Sequence, residues 1–300
     1  MSPLLIFTNV ILPIFVLIGL GVLLDRAFKL DVRTLTRISF YIFSPVVVFL
    51  GIFNTDLQAG QLVSIVLIEG SLIVAMFLIA ALLFSGSAFA GKRGLCEFGA
   101  MFFNGGNYGF PLMLLAFGEW AVGVMAIVLL VQALGMFTIG VLLMGGADDG
   151  PRDAIIRLLK IPVVYAIPLG FALRLLHVTL PVAISTPLQQ INNGFISMAL
   201  LTLGVQLSRS RIAGEIRSVL TVTGVRLLLS PLVAFGLVLL FKPGPQIAPV
   251  LAIAGGLPVA VNLFVLSVEF EQDADFGSRL VFWSTLLSAV TIPLLLIVFR

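Results

Sequence analysis

Gly105-Gly106-Asn107-Tyr108-Gly109-Phe110-Pro111 and Gly255-Gly256-Leu257-Pro258-Val259-Ala260-Val261-Asn262 interrupt two long apolar stretches, and their Gly-Gly pairs stand 150 residues apart in a chain of 300. Glycine and proline inside a membrane span free backbone groups that lipid cannot satisfy, so such breaks persist only where they face protein or a watery cavity. Paired broken helices at corresponding places in two halves of a chain mark the binding site of a secondary transporter.

Composition supports the membrane class. The chain is 60% hydrophobic and 10% charged, against soluble norms of about 45–50% and about 25%. One cysteine, Cys96, excludes an internal disulfide, and one histidine, His177, leaves no cluster for zinc, haem or a Cys/His nucleophile. No metal, cofactor or enzymatic activity is therefore expected. The first apolar stretch is long enough to span and lacks a basic leader, so no cleavable signal is expected. The net charge of +3 matters through its placement along the chain, and no nucleic-acid partner is expected.

A hydrocarbon core takes roughly 20 apolar residues per helix, which yields ten candidate spans at roughly 5–24, 37–53, 61–85, 97–117, 121–144, 160–176, 184–207, 218–241, 247–268 and 279–299. The fold class expected is an all-α polytopic membrane protein. Thirteen of the 17 Lys and Arg residues fall in alternate connections, at one face: Arg26, Lys29, Arg33, Arg37, Lys92, Arg93, Arg152, Arg157, Lys160, Arg209, Arg211, Arg217 and Arg279. The positive-inside rule makes that face cytoplasmic and puts both termini outside a cell membrane.

Five spans per half make the second half enter from the opposite face, as an inverted repeat. The Gly-Gly breaks, the acidic pair Glu119 and Glu269, and the early prolines Pro13 and Pro162 agree with that reading. The repeats are 1–144 and 160–300, joined by a cytoplasmic linker, 145–159, whose start, Gly145-Gly146-Ala147-Asp148-Asp149-Gly150-Pro151, is turn-forming.

Pro111 suits the first turn of a new half-helix, because its missing N–H costs nothing there. That half-helix then presents unpaired N–H groups and a positive dipole end near the midplane, which favours an anion such as a carboxylate. Asn104 and Asn107 supply amides at the same level. In the ninth span Pro258 is expected to play the part of Pro111, with Asn262 a turn later. If the two broken spans cross, Asn107 and Asn262 face one cavity. The blander reading is a pair of kinks, since Gly and Pro are frequent in membrane helices.

Two charges lie inside spans, Glu69 in the third and Arg226 in the eighth. Either Glu69 takes a coupling proton and Arg226 attracts substrate, or the two are a structural ion pair or snorkel. Gln132 in the fifth span and Thr285, with Ser284 and Ser288, in the tenth are midspan polar groups. They either line a substrate path or tie helices together.

The run Asn104-Gly-Gly-Asn107-Tyr-Gly-Phe-Pro111, with Pro258, Asn262 and the later Ser284-Thr285 and Ser288, resembles the motifs of the auxin efflux carrier family. That family includes plant auxin exporters and bacterial carriers of malonate and similar acids. The resemblance implies ten helices in two inverted five-helix repeats, a fold shared with bile acid/sodium symporters. Helices 1, 2, 6 and 7 would be a scaffold, and helices 3–5 and 8–10 a transport domain moving elevator-fashion. Broken helices 4 and 9 would cross beside the substrate, with Asn107, Pro111, Pro258 and Asn262 as the crossover residues. Together with the residue reading above, the expected substrate site is Asn104, Asn107, Tyr108, Gly109, Pro111, Pro258, Asn262, Gln132 and Thr285. The resemblance also implies a homodimer and a bacterial inner-membrane location; the short linker omits the long loop of the plant members. A sodium-coupled symporter of the same fold and a channel are the competing functions. Proton or sodium would be the coupling ion, and lipid and a small organic anion the partners.

Overall fold

A computed structural model of the chain describes residues 3–55, 57–145, 156 and 159–299. Among these, twelve helical segments carry the architecture: α1 Pro3–Phe28, α2 Val32–Phe53 and α3 Ala59–Leu83, α4 Arg93–Met101, α5 over 105–117, and α6 Glu119–Leu143. They continue with α7 Val163–Leu175, α8 Val182–Ser208, α9 Ile216–Phe241, α10 Ile247–Ala254, α11 Asn262–Glu269 and α12 Ala274–Phe299.

The all-helical expectation holds for the described residues. Six segments, α1, α2, α3, α6, α9 and α12, are long and apolar enough to cross a membrane. The other four expected spans differ for physical reasons. Segment α7 has only 13 residues, and the first half of α8 carries Gln189, Gln190, Asn192 and Asn193. The stretches α4–α5 and α10–α11 are broken in the middle, as the glycines and prolines foretold. The expected linker over 145–159 lies, apart from Gly145, Ile156 and Leu159, outside the described residues. Segment α12 starts earlier than expected, so Arg279 is a buried helical residue and not a loop cation.

Proline shapes the helices in a repeated way. Its ring clashes with the carbonyl four residues back and it has no N–H to donate. A wider, i→i+5 turn relieves both problems. Such π turns occur at Phe7–Ile11, Ser39–Phe43, Gly105–Gly109 and Val225–Leu229. Each ends two residues before a proline, Pro13, Pro45, Pro111 and Pro231, whereas a fifth π turn, Met136–Gly140, has no proline after it. Asn107 and Arg226 both sit in turns of this kind, so a downstream proline helps to aim each side chain.

Packing joins the two halves of the chain. Segment α1 runs along α8, α2 packs on both α7 and α6, and α3 packs on α9. The α1–α8 contact depends on backbone approach: a Cβ on Gly204 would collide with the Ile18 carbonyl oxygen and lie 2.9 Å from the Gly21 Cα. Backbone cannot swing aside as a side chain can. Gly204→Val is therefore expected to cost about 1–3 kcal/mol. Gly19→Val, where a Cβ meets nothing within 4 Å, should leave the melting temperature in detergent unchanged. Equal melting of the two variants would show that the α1–α8 seam has slack.

Ion pairs gather several basic connections at one end of the bundle. Lys92 pairs with Glu215 and, at 3.1 Å, with Asp273; Arg211 pairs with Asp275 at 2.8 Å and Arg209 with Asp25 at 2.8 Å. Burial alone would raise the Asp273 carboxyl, but the Phe276 N–H and the Lys92 ammonium more than offset it and hold it below its ordinary value.

Candidate substrate site at a helix crossover

The two breaks meet. After Met101 the chain runs extended through Phe102–Asn104, and Phe103 forms an antiparallel bridge with Val259 of the other break. Asn104 N–H donates to the Pro258 carbonyl at 2.8 Å, and Ala260 N–H donates to the Phe102 carbonyl at 3.1 Å. Backbone groups freed by the two broken helices thus satisfy one another, as a non-aqueous setting requires. Ser284 adds a third link, its hydroxyl oxygen accepting from Val259 N–H at 3.0 Å.

Asn104 caps the half-helix α5, its Oδ1 accepting from Asn107 N–H at 3.2 Å, while its buried Nδ2 has no protein partner. Asn107 is half-buried and donates from Nδ2 to Gln206 Oε1 of α8 at 3.5 Å. Tyr108 is buried, its hydroxyl 2.9 Å from that of Ser288. Gly109 lets the turn pass Leu257 and Met125, whose side-chain carbons would lie 2.9 and 3.1 Å from an added Cβ. Pro111 stands in the first turn of the α-helical part of α5, in the role expected of it.

Pro258 does not. The second half-helix begins at Asn262, after Val261, so Pro258 belongs to the extended crossing, where its carbonyl is what matters. The two asparagines also point to different neighbours: Asn262 is exposed and donates to Met136 Sδ at 3.1 Å, whereas Asn107 turns to Gln206. Gln132 and Glu69 form a separate buried pair, Nε2 to Oε1 at 2.5 Å. Thr285 spends its hydroxyl on the Val281 carbonyl of its own helix, at 2.7 Å. Arg226 does not ion-pair with Glu69; it donates to the carbonyls of Ala100 and Met101 at 3.1 and 3.0 Å, and to that of Gly255.

A cavity of about 730 Å³ opens beside the crossover. Its walls include Arg33, Arg37, Gln206, Arg209, Val261 and Val265. Val261 precedes the first residue of α11, so the cavity reaches that half-helix's N-terminal end. Asn104, Asn107 and α5 do not line it, and the link to α5 runs through Gln206, which accepts from Asn107. It is lined from α2, the C-terminal end of α8, α11 and α12, at the end where the basic connections gather. Asp31 stands at its rim as the N-cap of α2, and hydrogen bonding, first from the Thr34 hydroxyl, holds its carboxyl below the usual range. Further back along α8, Asn192 donates to Glu119 Oε1 at 3.4 Å. The cavity there is only about 10 Å³, room for about one water. The larger of these two cavities thus lies on the basic side of the crossover.

Gln206, Arg33, Arg37 and Arg209 were not singled out from the sequence. Gln206 carried a usable signal, a lone amide in the apolar run Leu200–Leu207. The arginines had been read for topology alone. Among the described residues no group of three or more His, Cys, Asp or Glu could hold a metal ion.

Comparisons with known proteins bear on the class of the protein. A family described as Membrane transport protein matches residues 152–296. An "Uncharacterized transporter" of Methanothermobacter thermautotrophicus is 28% identical over 300 residues, covering 96% of this chain and 96% of that protein. The resemblance to the auxin efflux carrier family read from the motifs is borne out, and a membrane transport protein is supported. The matched stretch contains the second break; the Asn104–Pro111 motif lies in the half before it.

Proposed function

We propose that the chain is a secondary carrier of small organic anions, mono- or dicarboxylates. The observation that carries the reading is the crossover itself: two half-helix N-termini, flanked by Asn104, Asn107 and Asn262, beside a cavity that has arginines on its wall and meets the α11 end at Val261. The Asn107 N–H is taken by the Asn104 side chain, and those of Leu263 and Phe264 by the Ala260 and Val261 carbonyls. The first-turn N–H groups not already taken point forward, and the helix dipole is positive there. A carboxylate gains from both, and Arg33, Arg37 and Arg209 raise its local concentration.

The mechanism proposed is elevator-type alternating access. Segments α1, α2, α7 and α8 form the scaffold, while α3–α6 and α9–α12 move with the substrate. An inverted repeat pairs the contact α2–α6 with α8–α12. The first of these is tightly packed, and the second is parted by the cavity, lined from α8 by Gln206 and from α12 by Val281. That asymmetry is what one half-cycle of two inverted repeats produces. With the basic end cytoplasmic, the conformation is inward-open in a cell membrane, with both termini outside and the carrier in homodimers.

Counterflow of labelled carboxylates in proteoliposomes tests the reading. Saturable, trans-stimulated flux is expected, and a pore would not show trans-stimulation. No saturable flux across a broad panel of acids overturns it. Glu69, held apart with Gln132, is the candidate for a coupling proton. Glu69→Gln is then expected to bind substrate yet ignore an imposed pH gradient, and an unchanged response moves the coupling elsewhere.

A further inference from the structure

Two helices stop at the crossover before two others begin. The last carbonyls of α4 and α10 have no helical N–H ahead of them, and each C-terminus carries the negative end of a dipole. Local turns satisfy some of these oxygens: Gly256 N–H donates to Ile253, and Leu257 N–H to Ala254. Ala100, Met101 and Gly255 are answered from outside, by one side chain, the Arg226 guanidinium. Arg226 is fully buried, and its Cζ stands 5.2 Å from the centre of the Phe103 ring. Phe103 is the residue that bridges to Val259, so the cation is lodged against the crossing strand.

Three carbonyls from two broken helices, converging on one positive charge, are the arrangement by which broken-helix carriers coordinate a coupling cation. We infer that Arg226 is a resident cation: a tethered charge that occupies the place of an exchangeable metal ion, fixes both half-helices, and makes the crossover independent of sodium. Only the N-terminal, positive ends of α5 and α11 then remain for the cavity, which deepens the anion-carrier reading and rests on it. Arg226 is a positioning residue here, since the hydrogen bonds from its Nη1 and Nη2 all go to backbone carbonyls, while its buried Nε has no protein acceptor.

The test is thermal unfolding of the purified protein in detergent, with choline chloride, sodium chloride or methylguanidinium chloride at equal millimolar strength. No transport substrate is needed. Wild type should melt at one temperature in all three salts. Arg226→Ala should melt about 10 °C lower in choline and recover, saturably, with methylguanidinium or sodium, which can enter the vacated place between the carbonyls. A variant equally unstable in every salt overturns the inference, as does saturable stabilisation of the wild type by sodium. Should Arg226→Ala fail to fold, Arg226→Lys and Arg226→Met decide. The charged variant must be the more stable, and no difference between them overturns the inference. Wild-type flux that requires sodium would defeat the resident cation while leaving the anion carrier standing. Absence of flux for every acid would defeat the carrier and leave the melting result unaffected.

Discussion

Asn107→Asp is expected to lower carboxylate counterflow by about 100-fold or more, with little change in melting temperature. The two side chains have the same shape, so packing at the π turn survives. What changes is charge. A carboxylate substrate at the α5 N-terminus would lie within about 5 Å of the new one, and two like charges at that distance repel by about 3 kcal/mol at an effective dielectric constant of about 20. Each 1.4 kcal/mol is about tenfold. Asn107→Ala removes one neutral hydrogen bond and should cost about tenfold or less. The order Asn, then Ala, then Asp is the signature of an anion site. Initial rates at pH 7 with matched protein amounts decide it. An Asp variant as active as the Ala variant would mean that Asn107 faces Gln206 and never the substrate.

Much of the crossover was legible beforehand because its causes are local. Gly105, Gly106 and Pro111 break a span through their own backbone chemistry, and the 150-residue offset placed a matching break at Gly255-Gly256. Helix existence followed from apolar length alone. The error at Pro258 has an equally local origin: proline suits both the first turn of a helix and an extended strand, and which applies depends on a partner strand 155 residues away in the chain, at Phe103. The partners of Arg226 are hidden from sequence for the same reason. An arginine in a span advertises a buried counter-charge, and Glu69 was the only acid at a similar depth, whereas the actual acceptors are helix-end carbonyls, which any residue can supply. The cavity was invisible because it depends on how far α8 stands from α12. Its polar reporter, Gln206, resembles Gln132 in sequence and differs from it only in what tertiary packing brings near.

The contact between α2 and α6 makes the strongest conformational prediction. Gly51 of α2 and Gly123 of α6 face each other there. A Cβ on Gly123 would lie 2.6 Å from Thr55 Oγ1 and 2.9 Å from the Gly51 carbonyl oxygen, and one on Gly51 would lie 3.1 Å from Gly123 N. Since α2 belongs to the proposed scaffold and α6 to the proposed moving part, this contact forms only while the cavity is open at the basic end. Gly123→Val puts a branched carbon against backbone, so it penalises that state by about 1–3 kcal/mol and shifts the two-state balance about 5–150-fold toward the opposite one. Turnover in counterflow should fall at least about fivefold, because every cycle must pass through the penalised state. A cysteine at Val265, an exposed residue on the cavity wall, reports the shift directly, and the native Cys96 is buried. An impermeant maleimide supplied from the basic end should modify Val265→Cys several-fold more slowly when Gly123→Val is also present. Unchanged labelling with unchanged turnover would show that α2 and α6 stay together throughout transport, and the moving boundary would then have to be sought between other helices.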